Sequence, residues 1–164
     1  MGIDVVGPLT SADRLDEVAP LWRELHRHHL DVASYPRLVR DVDESWRRRR
    51  RWYESLLADR AALFIAEDAG RAVGYALVHT SCGADDTFAA ESGTAELVSL
   101  VVTVDYRGRG VGKALLAAAE RQARADGADV CKVAVMVGNH AALGFYKAAE
   151  FLPAEDVLYR PLAD

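Results

Sequence analysis

The chain has 164 residues, 20 lysines and arginines against 25 aspartates and glutamates, and a formal charge of -5. That balance denies it a general electrostatic grip on nucleic acid, which needs many cations facing phosphates, and points to a small-molecule partner. A 51% hydrophobic content supports one continuous core, so residues 1–164 read as one folded domain. No apolar run approaches the roughly 20 residues of a membrane span, and the first six residues lack the basic flank and apolar stretch of a secretory signal; a cytoplasmic protein is expected. Cys82 and Cys131 each stand in an apolar, strand-like run, which reads as two plain buried thiols rather than a disulfide or a zinc site.

In chain order, the β-branched run at residues 3–6 predicts a strand. Thr10 or Ser11 then offers an N-cap for a helix carrying Leu15, Val18, Leu21, Trp22 and Leu25. A second helix is expected over residues 43–57, with Trp46, Tyr53, Leu56 and Leu57 on its apolar face and a connection around Pro36 before it. Residues 62–67 and 73–81 read as an antiparallel pair joined by the turn-forming residues 68–71. A polar, small-residue loop over 82–93 precedes a strand at 94–104. Strong helix formers fill residues 113–126, with Gly127 as a stop. A strand at 130–137, a short helix at 141–149 and a last strand at 157–162 complete the order, which predicts an α/β mixed sheet covered by helices.

Between the strand ending at 104 and the helix beginning at 113 lies Arg107-Gly108-Arg109-Gly110-Val111-Gly112. A strand-loop-helix junction aims successive amides at one point, and the helix N-terminus favours an anion there. The three glycines clear side chains from the approach, while Arg107, Arg109 and Lys113 add positive charge, so the loop suits a diphosphate. A P-loop needs Ser or Thr after Gly112-Lys113, where Ala114 stands. A dinucleotide fingerprint needs glycine three positions after Gly110, where Lys113 stands.

The run Val102-Thr103-Val104-Asp105-Tyr106-Arg107-Gly108-Arg109-Gly110-Val111-Gly112-Lys113-Ala114-Leu115 closely resembles the acetyl-coenzyme A signature of the GNAT superfamily of N-acetyltransferases. Downstream, Asn139-His140-Ala141-Ala142-Leu143-Gly144-Phe145-Tyr146 resembles that family's second motif. The resemblance covers about residues 96–151; the first 60 residues carry no signature of the family. It implies a mostly antiparallel sheet whose parallel strands 4 and 5 splay apart, freeing main-chain groups of Leu100, Val101 and Val102 for the pantetheine arm of acetyl-CoA. It further implies that Arg107, Gly108, Arg109, Gly110, Val111, Gly112 and Lys113 hold the diphosphate, that Asn139 contacts the cofactor arm, and that Tyr146 protonates the leaving thiolate. A primary amine of a small molecule or of a protein attacks the thioester directly, with a backbone amide near Val102 polarising the carbonyl and Glu96 taking the base role. Pairing of subunits is frequent in that family, so a homodimer is an open expectation. The sequence departs from the family pattern at Ala134, where some members place a glutamate, at Val104, where many have proline, and at Glu150, where glycine usually precedes Phe151.

Each of these residues also has a plainer role. Tyr146 reads equally as a core aromatic, and Glu96 as a solvent-facing strand residue, with alternation placing Glu96, Val98, Leu100 and Val102 on one face and Leu97, Ser99 and Val101 on the other. His26, His28 and His29 do not share one helical face, which argues against a metal site, though the resemblance, in which the early helices cover the mouth of the slot, implies that His26 or His29 can line an acceptor pocket. Five consecutive arginines at 47–51 spread around a helix and suit a solvated or ion-paired face. The rival function is a non-catalytic acyl-CoA sensor that keeps the glycine loop without a competent base.

Overall fold

A computed structural model describes residues 2–162. Its elements are β1 (Asp4–Leu9), α1 (Leu15–Val32), α2 (Val42–Leu57), β2 (Ala61–Asp68), β3 (Arg71–Cys82), β4 (Gly93–Val102), α3 (Val111–Ala125), β5 (Val130–Lys132) and α4 (His140–Ala148), with short 3-10 turns at Pro36–Leu38 and Val104–Tyr106. The five strands lie in the order β1-β2-β3-β4-β5, antiparallel up to β4 and parallel between β4 and β5. The mixed, helix-covered sheet expected from the sequence is thus the observed architecture.

Two apolar layers hold the helices to the sheet. On one face Leu115, Leu116, Ala119 and Ala123 of α3 pack on Ala76, Val78, Ala95 and Leu97, with Tyr146 of α4 in the same layer. On the other, Leu15, Val18 and Trp22 of α1 and Trp46, Tyr53 and Leu57 of α2 pack on Leu63, Ile65, Tyr75, Leu77 and Val101. Leu115 and Leu77 are fully buried, and burial of each such side chain contributes about 1.5–3 kcal/mol. Gly74 lets α3 approach closely, because a Cβ there would meet the Val101 carbonyl oxygen at 2.8 Å and Leu115 Cδ1 at 3.1 Å.

A bulge in β4 overturns the simple alternation expected for that strand. Leu77 of β3 faces Ser99 and Val78 faces Leu97, so Val98 has no residue opposite it. Leu97, Leu100 and Val102 therefore share the α3 face, whereas Val98 and Val101 face α1 and α2. Ser99 also turns to the helical pair, its hydroxyl 2.5 Å from that of Tyr53, which in turn lies 3.2 Å from the Tyr75 hydroxyl. Burial raises the pKa of both tyrosines, so this polar contact stays protonated inside the core.

Other expectations need correction. The first helix begins at Leu15 rather than after Thr10 or Ser11, because the Ser11 hydroxyl donates to the Asp13 carboxylate at 2.8 Å instead of accepting from a helix amide. The helix expected from Lys113 begins at Val111, so the last glycine of the loop is already helical. The strand expected over 130–137 is a ladder of three residues, Thr94↔Val130, Ala95↔Cys131 and Glu96↔Lys132. Residues 157–162 form no strand; Leu158, Tyr159 and Leu162 are exposed. So short an edge at β5 offers too few backbone partners to hold a further strand.

Glu150, where the family pattern has glycine, closes α4 in the left-handed region with φ 67°. Its neighbour Phe151 still completes the turn by donating its amide to the Tyr146 carbonyl at 3.0 Å. A side chain in that conformation costs about 1 kcal/mol or more, so Glu150→Gly is expected to raise stability by about 1 kcal/mol. Urea denaturation of the two proteins measures it; equal midpoints would show that the turn is not strained.

Candidate functional site

The candidate site lies where β4 outruns β5. Beyond Glu96 and Lys132 the two strands have no further ladder partners, so the β5-side edge of residues 97–102 is free of strand pairing. Past Val102 the chain makes the 3-10 turn at Val104–Tyr106, then the glycine loop, then α3. Gly108 and Gly110 take positive φ values of 73° and 83°, a conformation that side-chain-bearing residues adopt at a cost, and Gly110 is the N-cap of α3.

This local path leaves a run of amides without acceptors. The Arg107 amide donates to the Val104 carbonyl at 3.3 Å and the Ala114 amide to Gly110 at 3.0 Å. Among the described residues, no backbone hydrogen bond of ordinary geometry is donated by residues 108–113 between them. Six successive N–H groups at a helix N-terminus form a concave, partly positive surface. A Cβ at Gly110 would meet nothing within 4 Å, so the approach to these amides is open.

The three basic residues around the loop differ in surroundings. Arg107 is held by Nε donating to the Val102 carbonyl at 2.9 Å and by Nη2 donating to Glu24 at 3.2 Å. Glu24, in α1, also accepts from the Thr103 hydroxyl at 2.8 Å and the Val104 amide at 3.0 Å. It is therefore a buttress of the loop, and nothing in the sequence around it signalled that role, since its partners lie about 80 residues away in the chain. Arg109 lies 5.2 Å from the Tyr106 ring centre, and Lys113 is exposed on the first turn of α3; neither meets a carboxylate among the described residues. Gly112 serves packing, since a Cβ there would touch the Phe145 ring at 3.4 Å. Val111 is buried beneath the loop.

Asn139 caps α4, its Oδ1 accepting from the Ala142 amide at 3.1 Å. Tyr146, on the same helix, is buried between Phe145 and Phe151, with ring centres 5.2 and 5.4 Å away. Burial, reinforced by the nearby Cys131, raises its pKa, so the phenol keeps its proton throughout the physiological range. Burial likewise pushes the Cys131 thiol up to about 11, which leaves it protonated, whereas Cys82, expected to be buried, is exposed because it ends β3 at the sheet's rim. Glu96 pairs in register with His79 and Lys132, and the Lys132 ammonium lies 4.0 Å from its carboxylate. Since Ala95 and Leu97 face α3, Glu96 projects to the opposite side of the sheet from Tyr146. Leu100 and Val102 line the α3 face and Val101 the other.

Over the α1–α2 face stands a second group of side chains. His26 donates from Nε2 to the Arg40 carbonyl at 2.7 Å, and its Nδ1 lies 3.2 Å from the Ser45 hydroxyl. His29 sits edge-on to Trp22. The tip of α1 meets the β5–α4 connection so closely that a Cβ on Gly138 would collide with the Val32 carbonyl. Two of the five arginines at 47–51 are ion-paired, Arg48 with Glu44 at 2.9 Å and Arg50 with Asp16 at 2.9 Å and also with Glu54, while Arg47 and Arg51 are exposed to solvent. Arg49 departs from the expected solvated or ion-paired face, its guanidinium lying over the rings of Trp22, Trp52 and Tyr53. Among the described residues, no group of three or more His, Cys, Asp or Glu side chains is placed to hold a metal ion.

The sequence profile of the Acetyltransferase (GNAT) family matches residues 22–151. This chain belongs to the GNAT family. An L-methionine sulfoximine/L-methionine sulfone acetyltransferase of Pseudomonas aeruginosa is 35% identical over 104 residues, which cover 63% of this chain and 58% of the relative. An uncharacterized N-acetyltransferase of Methanocaldococcus jannaschii is 30% identical over 142 residues, 82% of this chain and 62% of its own length. The chain thus spans about three fifths of each of these relatives. Among solved structures, aminoglycoside N-acetyltransferase AAC(6')-Iy in complex with CoA superposes with a TM-score of 0.72 at 23% identity, covering 99% of this chain and 98% of the other, a likeness of fold. The two motifs read from the sequence both fall inside the region matched by the GNAT profile.

The α1 histidine of this GNAT chain has a measurable consequence. Burial, with His26 and the Arg49 cation nearby, lowers the pKa of His29 from 6.5 to about 4. A depressed folded-state pKa means that the unfolded chain binds the extra proton, so this contribution is complete above pH 6.5 and is lost as pH falls towards 4. It amounts to at most about 3 kcal/mol. Thermal unfolding of wild type and His29→Gln between pH 7.5 and about 4 is expected to show a shallower acid decline in the variant; parallel curves would refute the assignment.

Proposed function

We propose that this GNAT chain is an acetyl-CoA-dependent N-acetyltransferase that acetylates a primary amine on a small molecule. The observation that carries the reading is the run of acceptor-free amides at residues 108–113, joined to a β4 edge that β5 leaves unpaired. The first is suited to a diphosphate and the second to the amide-bearing pantetheine arm, so their contiguity matches one extended ligand. Arg109 and Lys113, without carboxylate partners among the described residues, supply the counter-charge. Arg107 shapes the loop through Glu24 and Val102.

In this reading the acceptor amine attacks the thioester carbonyl, and an amide of the free β4 edge near Val102 stabilises the developing oxyanion. Tyr146 donates its phenolic proton to the departing thiolate; its raised pKa keeps that proton available. Glu96, half exposed and beside Lys132, accepts the amine's proton through water. Asn139 holds the first turn of α4 and thereby the position of Tyr146. The Pseudomonas aeruginosa relative, named for two amino-acid derivatives, supports a small amine as acceptor.

Isothermal titration with acetyl-CoA, followed by a thiol-release screen over amino acids, polyamines, aminoglycosides and peptides, tests the proposal. Binding with release on one acceptor class is the expected result; binding without release on any of them supports the sensor, and absence of binding overturns the reading. Tyr146→Phe is expected to lower kcat by at least about ten-fold while leaving CoA affinity within a factor of about two. An undiminished kcat removes the acid role from Tyr146. Gly110→Val strains a left-handed N-cap and crowds the amides, so its CoA affinity is expected to fall by at least about ten-fold, beyond any loss of thermal stability. Unchanged affinity rules the loop out as the diphosphate site.

A further inference from the structure

We propose that Arg49, framed by Trp22, Trp52 and Tyr53, is the recognition site for a carboxylate carried by the acceptor. This rests on the transferase reading above and adds the acceptor's chemical class. The starting observation is an imbalance of charge between α1 and α2. Arg40 and Arg48 share a single carboxylate, Glu44, at 3.2 and 2.9 Å, and Arg50 has Asp16 and Glu54. Among the described residues Arg47, Arg49 and Arg51 have no carboxylate partner, and of these three Arg49 alone lies over aromatic rings and lines a pocket. That pocket, of about 250 Å³, is lined by Arg40, Ser45, Arg48, Arg49 and Trp52. Three guanidinium groups and one carboxylate leave it strongly positive on a chain whose overall charge is -5.

The aromatic frame makes Arg49 more than a surface cation. Its guanidinium centre lies 4.1 Å from the Trp22 ring centre, 4.7 Å from Trp52 and 5.5 Å from Tyr53. Cation–π attraction holds the planar group in place, so little side-chain freedom remains to be lost on binding. A fixed guanidinium offers parallel N–H donors whose spacing matches the two oxygens of a carboxylate. The indole N–H of Trp22, 2% exposed, also has no hydrogen-bond partner, which marks an incompletely satisfied polar environment beside the cation.

The location suits an acceptor. Tyr53 touches Arg49 through its ring and Ser99 of β4 through its hydroxyl, so one side chain separates the cation from the strand whose far edge is unpaired. A small amino acid anchored by its carboxylate at Arg49 stands on the α1–α2 side of that strand, the side to which Glu96 projects.

The test uses a panel of L-amino acids, methionine sulfone included, each paired with its own carboxamide. Thiol release in the presence of acetyl-CoA is measured alongside quenching of tryptophan fluorescence with and without CoA, because Trp22 and Trp52 flank the cation. At least one acid is expected to bind with a KM or Kd about ten-fold or more below that of its amide. Arg49→Gln is expected to abolish that ratio, and Arg49→Lys to restore part of it, with circular dichroism verifying the fold of both. Equal treatment of acids and amides, or a ratio that survives Arg49→Gln, overturns the carboxylate site. Thiol release without discrimination leaves the transferase reading standing alone; acid-selective quenching without thiol release on any acceptor supports the carboxylate site and counts against the transferase.

Discussion

The organising constraint in this molecule is the unequal pairing of β4. One edge is bonded to β3 along the whole strand, whereas the other is bonded to β5 for only three residues. Backbone N–H and C=O groups demand partners, so a strand anchored on one side and open on the other is both rigid and available. The glycine loop and the start of α3 inherit their position from that strand, and β5 leads to α4 and Tyr146 as it departs from it. The candidate site therefore follows from one strand pair that comes apart.

Keeping the open edge in place requires support from both faces. Gly74 allows α3 to seat close to β3 and β4, while Glu24 reaches from α1 to hold Thr103, Val104 and Arg107 together. A charge-assisted cluster of this kind fixes loop geometry more than it adds net stability, since each ion is still partly solvated. The bulge at Val98 has a similar effect on side chains: by shifting the alternation it sends Ser99 to Tyr53 and keeps Leu100 and Val102 over α3. Strand, loop and helical pair are thereby coupled through a few contacts around the same five residues of β4.

Much of the fold was legible because its signals are local. Helical periodicity located α1, α2 and α3 to within a few residues, and the glycines at 108 and 110, read as clearing side chains from the loop, take positive φ in the structure. The glycine loop was likewise readable, because a strand-loop-helix junction with closely spaced glycines directs its amides in one direction wherever it occurs. The departure at Glu150 was also visible as a letter, and its positive φ is a conformation that glycine adopts without cost.

The remaining features depend on partners far away in the chain. Residues 133–137 and 157–162 have strand-like composition, but a strand exists only where a neighbouring edge accepts it, and β5 offers three residues of ladder. The slip in β4 alternation is a property of its register with β3, where two residues oppose one, and cannot be read from either strand alone. Nor does the run of arginines at 47–51 distinguish its members: Asp16, Glu44 and Glu54 satisfy two of them, and the rings of Trp22, Trp52 and Tyr53 claim Arg49. The sequence by itself determined the helices, the antiparallel core and the amide-rich loop, because propensity, periodicity and glycine conformation act within a few residues. Only the tertiary structure decided where β5 leaves β4, which face each β4 side chain takes and which arginine is claimed by aromatic rings, because pairing and burial are properties of neighbours in space.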